Sequence, residues 1–141
     1  MAAGIAALTL SVFAADVPSK EPALIWAAQH NLIPLASQML EKGVSVNERD
    51  VMGNTPLHWA VRYPLMLKFL LEHGADVNAR NIMGETALHL AIRWKASVEI
   101  LLAGGADRTI RTIFGRTAVD YCIFQGPRKR NLEIMSLLYG N

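Results

Sequence analysis

Four histidines are the side chains of this sequence that could most readily do chemistry. His58 and His89 lie 31 residues apart and could in principle bind a metal ion or act as general bases. His30 and His73 lie in polar surroundings, and no carboxylate or second histidine recurs beside them at the spacing of metal ligands. We therefore expect His30 and His73 to be solvated surface residues.

Cys122 is the only cysteine, so the chain can form neither an intrachain disulfide nor a zinc site of the usual cysteine spacing. Together with Asp120 and a distant histidine it could form a thiol nucleophile. In the repeat described below, however, Cys122 occupies the position that Ala60 and Ala91 hold in other copies. This position favours a buried small side chain over a catalytic one.

Two further motifs could bind anions, but both have a simpler interpretation. Gly104-Gly105 ends a predicted helix, whereas a phosphate-binding glycine loop opens one. The basic run 128–130 is short and the net charge is only +2, so no nucleic-acid partner is expected. We interpret the run as a solvated loop that begins the last helix, with an electrostatic contact to a protein partner as the alternative. No cofactor is predicted.

The length of 141 residues fits one domain, and the composition is rich enough in apolar residues, at 52%, to exclude disorder for most of the chain. Two glycine series show how that domain is organised, because their members recur at intervals of 31 residues. The series are Gly43, Gly74 and Gly105, and Gly53, Gly84 and Gly115. Residues 51–81 and 82–112 also agree at 13 of 31 positions.

Each repeat encodes two helices. Thr55 followed by Pro56 is a typical helix start, because the hydroxyl can cap a free backbone N–H and proline is tolerated at the first helical position. Tyr63-Pro64 then interrupts the helix, and Gly74 is suited to end the second one. Stacking such units is needed to bury their apolar faces, which predicts an all-α solenoid of about four helix-turn-helix repeats.

These residues resemble the ankyrin-repeat family. The two central copies carry its motifs at residues 53–60 with 70–78 and at 84–91 with 101–107. Divergent copies begin near Pro22 and Thr117, so that the resemblance covers roughly residues 17–141. It implies repeats at about 17–49, 50–80, 81–111 and 112–141, with projecting turns between them. The domain as a whole is predicted over residues 15–141.

The resemblance also implies a structural role for His58 and His89, which in this family tie neighbouring turns together by hydrogen bonds. The terminal copies replace this histidine by Ile25 and Asp120, as suits repeats with a neighbour on one side only. The central copies are about two residues shorter than is usual and lack the glycine between their helices. Their inter-helix turns should be tight, whereas the turn at 124–130 should protrude.

Ankyrin repeats bind partner proteins with variable residues on the concave face, at the turn tips and on the first helices. The tips before the period-31 glycines are apolar, namely Val51, Met52, Ile82, Met83, Ile113 and Phe114. At the ends of the first helices lie the cationic and aromatic residues Arg62, Tyr63, Arg93, Trp94 and Phe124. Exposed Trp, Tyr and Arg commonly dominate binding energies, so this ladder is the predicted protein-binding site. The alternative is that these side chains pack on one another between turns.

The resemblance thus implies a protein-binding module that performs no catalysis and stays a monomer until it binds. Two other functions remain open. One is a small exported enzyme built on the same scaffold, which would need a titratable cluster in a cleft. The other is a structural protein that assembles with itself through the apolar tips.

Residues 1–14 form an apolar segment that is too short for a membrane span. Val12 and Ala14 fit the small-residue positions of a signal-peptide cleavage site, which predicts a mature chain from Ala15 and a small bacterial protein that is periplasmic or secreted. The segment lacks the Lys or Arg with which such signals open. Either the true start of the chain lies upstream, or the segment is an apolar helix that caps the solenoid of a cytoplasmic protein.

Overall fold

The computed structural model describes residues 22–126 and 129–140. Within these ranges every regular element is a helix, and the helices form four successive pairs. The pairs are α1 (Ala23–Gln29) with α2 (Ile33–Glu41), α3 (Pro56–Trp59) with α4 (Pro64–Glu72), α5 (Ala87–Leu90) with α6 (Lys95–Ala103), and α7 (Ala118–Phe124) with α8 (Lys129–Tyr139). The predicted all-α repeat solenoid is confirmed. The predicted signal segment lies outside the described residues, as do positions 127 and 128 of the last inter-helix turn.

A threonine precedes each of α3, α5 and α7, and it starts the helix as predicted. Thr117 has an extended backbone, and its N–H donates to the Asp120 carboxylate at 2.7 Å while its hydroxyl accepts the Asp120 N–H at 3.4 Å. Thr55 and Thr86 form the same reciprocal box with a histidine in place of the aspartate. The box satisfies backbone donors that a helix start otherwise leaves without partners.

The turns between paired helices are as tight in the central repeats as the shortened spacing predicts. After one turn, α3 narrows into a 3₁₀ turn over Ala60–Arg62, and the Tyr63 N–H donates to the Ala60 carbonyl at 2.8 Å. Tyr63 alone separates this turn from α4, which begins with Pro64. The second central repeat has the same arrangement around Trp94. A single connecting residue fixes the angle between the two helices of a repeat.

The projecting turns stack on one another through backbone hydrogen bonds. In the first of them the Asp50 N–H donates to the Asn54 carbonyl at 3.0 Å, which closes the turn. The Ile82 N–H of the next turn then donates to the Met52 carbonyl, also at 3.0 Å. The equivalent bond joins Ile113 to Met83 at 2.9 Å. The three tips therefore form one continuous backbone ladder.

Gly84 shows why glycine recurs behind the tips. Its φ of +74° lies in the left-handed region, and an added Cβ would lie 2.8 Å from Arg80 Nη2 and 3.0 Å from the Ile113 backbone nitrogen. The neighbouring turn can approach this closely only because glycine has no side chain.

An arginine beneath each of the first two tips links it to the next repeat. Arg49 Nη1 donates to the carbonyls of Gly53 at 2.9 Å and Arg80 at 2.7 Å. Arg80 Nη2 donates in the same way to the Arg111 carbonyl at 2.8 Å. These side chains are thus occupied with backbone carbonyls of the scaffold.

The core lies between two rows of helices. First helices pack on first helices, since α1 contacts α3, α3 contacts α5 and α5 contacts α7, while α4, α6 and α8 form the second row. Large buried side chains from both rows fill the space between them, among them Leu24, Leu57, Leu67, Leu70, Leu88, Leu101 and Ile134. None of the helices in the described part of the chain is long and apolar enough to cross a membrane.

Candidate protein-binding face

The two central histidines connect successive repeats. His58 Nδ1 accepts the Thr55 N–H at 3.1 Å, so its Nε2 carries the proton and donates to the Glu85 carbonyl, 3.0 Å away in the next repeat. His89 repeats this pattern with Thr86 at 3.1 Å and the Arg116 carbonyl at 3.2 Å. The structural role implied for both residues is therefore confirmed.

The surroundings of these histidines disfavour acid–base or metal chemistry. Burial lowers the pKa of both His58 and His89, even though each gains a backbone hydrogen bond that favours the charged ring. Both ring nitrogens are occupied by hydrogen bonds of the scaffold. Within residues 22–126 and 129–140, no group of three or more His, Cys, Asp or Glu residues could hold a metal ion.

Asp120 and Cys122 are also used by the scaffold. Asp120 stands where the central repeats have histidine, and it closes its own turn by accepting from the Thr117 N–H and hydroxyl. Cys122 is 1% exposed, and burial raises the pKa of its thiol, which disfavours the nucleophilic thiolate. The interpretation of Cys122 as a buried small side chain is confirmed.

Most of the predicted tip residues are exposed. Val51 is 97% exposed and forms the outermost point of the first tip, and Phe114 is 64% exposed on the third. Met52, Ile82 and Ile113 are also exposed, whereas Met83 is partly buried. Met83 is thus the one predicted tip residue whose side chain is not exposed.

Tyr63 and Trp94 are less exposed than the sequence suggested. Both aromatic rings are partly buried and pack against the hydrophobic core. The expectation that they project freely, without partners in the folded protein, is wrong, because the single connecting residue of each tight turn lies next to the core. Arg62 and Arg93 beside them are exposed, and the Arg62 guanidinium lies 5.3 Å from the centre of the Tyr63 ring.

Phe124 is the most exposed of the predicted aromatic residues, at 70%. The Arg116 guanidinium covers one side of its ring at 4.4 Å from the ring centre. This cation–π pair brings an arginine from the projecting turn onto a residue at the end of a first helix. It is an arginine–aromatic contact that the sequence analysis did not predict.

Two neighbouring clefts lie between the tips and the first helices, and Trp59 lines both. The larger cleft, of about 560 Å³, contains the predicted residues Arg62 and Trp94. The second, of about 450 Å³, contains the predicted residues Val51 and Met52. The described lining of these two clefts does not include the other predicted residues, which are Tyr63, Ile82, Met83, Arg93, Ile113, Phe114 and Phe124. We call the tips together with the exposed sides of α1, α3, α5 and α7 the first-helix face.

Trp59 is the residue of this face that the sequence analysis missed. Its side chain is 39% exposed, and its indole Nε1 donates to the Asp50 carboxylate at 2.9 Å. Burial opposes ionisation of Asp50, but hydrogen bonds from Asn54, Trp59 and Met52 outweigh it and hold the pKa of the carboxyl below its usual value. The signal was present in the sequence, since the next repeat has Leu90 at the position of Trp59. The scaffold does not require a tryptophan at this position, because leucine occupies it in the next repeat.

A second polar contact fixes the far end of the face. The Tyr121 hydroxyl donates to Glu85 Oε1 at 2.7 Å, and Glu85 Oε2 accepts from Asn81 at 3.0 Å. Burial and this carboxylate raise the pKa of Tyr121 to about 12. Tyr121 also lies edge-on to the His89 ring at 5.5 Å. The phenol thus joins a tip, a first helix and the histidine link.

Comparison with known proteins agrees with this geometry. A family model of ankyrin repeats in three copies matches residues 5–81, and a second ankyrin-repeat model matches residues 62–103. A fowlpox virus (strain NVSL) protein, itself named as an ankyrin repeat protein, is 46% identical over 43 residues, which are 30% of this chain. The aligned part is only 8% of the length of that relative. Ankyrin repeats are generally protein–protein interaction modules and are typically not catalytic. Because the first model covers more than half of the sequence, the chain belongs to the ankyrin-repeat family.

Proposed function

We propose that this protein binds a partner protein through its first-helix face and catalyses no reaction. The observation that carries the proposal is the concentration of exposed apolar side chains on adjacent tips, where Val51, Met52, Ile82, Ile113 and Phe114 all face solvent. Contiguous apolar surface of this kind usually marks an interaction site in a folded protein.

The backbone ladder supports the proposal by making the tips rigid. The Ile82 N–H bonds to the Met52 carbonyl and the Ile113 N–H to the Met83 carbonyl, so the tips keep their relative positions before any partner arrives. A surface that is ordered in advance loses less conformational entropy on binding. The tips can therefore contribute affinity although each belongs to a loop.

Trp59 and the two clefts supply the second part of the proposed site. Tryptophan, tyrosine and arginine are the residues most often found at the energetic centre of protein interfaces. Trp59 is held in place by Asp50, and its exposed surface lines the clefts on both of its sides. A partner that covers the tips would meet this side chain next.

A second candidate is self-assembly, and the same exposed tips favour it. Two copies could cover Val51, Ile82 and Phe114 by facing each other. Size-exclusion chromatography with light scattering over a range of concentrations separates the two functions. A monomer at all concentrations supports binding to a different protein, as we propose, whereas a stable dimer that Phe114→Ser dissociates supports self-assembly.

The proposed function is tested by affinity capture with the full chain, followed by identification and titration of the captured protein. Ile82→Ser combined with Phe114→Ser should weaken that titration at least about tenfold, because both side chains are exposed on the tips. Leu65→Ser is the matched control, since Leu65 is 72% exposed but lies on α4 in the second row of helices. A partner that is lost in the Leu65 variant and retained in the tip variant would overturn the proposed face.

A further inference from the structure

We infer that the cleft between Trp59 and Trp94 receives an acidic segment of the partner protein that carries a large apolar side chain next to a carboxylate. The inference rests on the proposed function and specifies the chemistry of the partner. Three observations carry it, which are the apolar lining of the cleft, the distribution of charge around it and the geometry of its arginine.

The lining provides room for an apolar side chain. Trp59, Trp94, Leu90 and Val61 form its apolar walls, and the volume of about 560 Å³ exceeds what one solvent molecule needs. The Trp59 ring is held from behind by its bond to Asp50, and Trp94 is partly buried against the core. The walls are therefore fixed in position, so an inserted aromatic or aliphatic group would contact rigid surfaces.

The charge of the lining selects an anion to accompany that apolar group. Arg62 is the cationic side chain of the described lining, which contains no carboxylate. Two acidic residues that are bonded to the lining have their carboxylates engaged, since Asp50 accepts from Trp59 and Asn54, and Glu85 accepts from Tyr121 and Asn81. The described lining thus has a cationic group without an acidic counterpart.

Arg62 is placed to supply the contact to a carboxylate. Its guanidinium lies over the Tyr63 ring at 5.3 Å, and the side chain is exposed. A guanidinium that is held near an aromatic ring keeps N–H groups that can form two parallel bonds to a carboxylate. Arg116 on Phe124, at 4.4 Å, is a second exposed guanidinium of this kind on the same face. A partner segment with more than one acidic residue would fit both.

The test uses a phage-displayed library of random dodecapeptides, panned on the immobilised full chain and, separately, on its Arg62→Glu variant. Peptides from the wild-type selection should be enriched in Asp or Glu beside Trp, Phe or Leu, and the Arg62→Glu selection should lose this acidic preference. Titration of the most enriched peptide should show at least about tenfold weaker binding to Arg62→Glu, because a like charge then faces the carboxylate. The affinity of Arg62→Gln for this peptide should lie between those of the wild type and Arg62→Glu. Arg62→Gln replaces Arg62→Glu in the test if the latter does not fold.

Lys68→Glu is the matched control, because it makes the same change of charge at an exposed position of α4 and should alter binding less than about twofold. Enriched peptides that lack acidic residues, or that bind Arg62→Glu equally well, would overturn the inference. If those peptides still lose affinity with Trp59→Ala, the proposed face stands and only the acidic partner is wrong. Peptides that are indifferent to Arg62→Glu, Trp59→Ala and the double tip variant alike would overturn both proposals. A library that yields no binding peptide would overturn the inference alone, since affinity capture tests the proposed function separately.

Discussion

His58 Nε2 donates a hydrogen bond to the carbonyl oxygen of Glu85, which lies 27 residues further along the chain and in the next repeat. The same ring accepts the Thr55 N–H through Nδ1, so one imidazole closes its own helix start and holds the neighbouring turn. A neutral ring is required, because the protonated form would have no acceptor for the Thr55 N–H.

Replacing His58 or His89 by alanine should lower the free energy of unfolding by roughly 1 to 3 kcal/mol, since each removes a buried link and leaves a carbonyl without its partner. Denaturant unfolding measures this, and partner binding by the folded protein should be retained. His73→Ala is the control, because His73 is exposed and bonds only within its own helix end, to the Phe69 carbonyl. Loss of binding without loss of stability would contradict the structural role.

The same histidines should make stability depend on pH. Burial holds the folded pKa of both below the ordinary value of 6.5, whereas the unfolded chain takes up protons as the pH falls through 6.5. Their contribution to stability is therefore fully present above pH 6.5 and is lost as the pH falls from there towards the folded pKa. Denaturant unfolding at pH 7.5 and at pH 5.5 measures this. The free energy of unfolding should differ less between the two pH values in the double variant His58→Gln/His89→Gln than in the wild type. An equal difference in both proteins would contradict the prediction.

Gly84 and Gly115 form a matched pair for testing the close approach of the tips. Both have φ near +74°, but only at Gly84 would a Cβ meet the next turn, because nothing lies within 4 Å of the same position at Gly115. Gly115→Ala should cost roughly 1 to 2 kcal/mol for its backbone conformation alone. Gly84→Ala should cost more, as thermal unfolding can show. Equal costs would mean that the adjacent tip yields without penalty.

Trp94→Ala should lower stability as well as binding, because the ring is partly buried against the core. We expect a loss of about 1 to 3 kcal/mol in the free energy of unfolding. Val51→Ser, at a side chain that is 97% exposed, should change stability by less than about 0.5 kcal/mol and affect binding alone. A fully stable Trp94→Ala protein would show that the ring projects as the sequence suggested.

The location of the protein depends on the fate of residues 1–14. If they are a cleaved signal, Edman sequencing of protein from the native host should begin at or close to Ala15, and the protein is periplasmic or secreted. The alternative is an apolar segment that caps the solenoid. Retention of Met1 would contradict the secretory prediction and favour that alternative.

The scaffold could be predicted closely from the sequence because its determinants are local and recur. Thr55 followed by Pro56 is a helix start that two adjacent residues encode, and Gly74 lacks the Cβ that would disfavour its left-handed conformation, with φ of +87°. The period of 31 residues then places His58 and His89 in equivalent environments. Local patterns of this kind need no knowledge of how the repeats are oriented.

The face was predicted less well because exposure depends on the angle between neighbouring repeats. The spacing gives Tyr63 and Trp94 equivalent positions but does not reveal that the tight turns bring both rings against the core. Trp59 looked like a motif position, and its bond to Asp50 joins a helix to a tip nine residues earlier. Only the folded arrangement shows that the indole lines two clefts.

The links between tips have a consequence for the length of the molecule. If residues 81–111 were excised, the Arg116 carbonyl would take the place of the Glu85 carbonyl opposite His58, and the Ile113 N–H would replace that of Ile82 opposite Met52. In both bonds the donor at the new junction would meet a backbone carbonyl, as it does now, although Tyr121 would face Asn54 in place of Glu85. Gene duplication or deletion of one unit would therefore lengthen or shorten the surface in discrete steps while keeping both of these links between tips and helices.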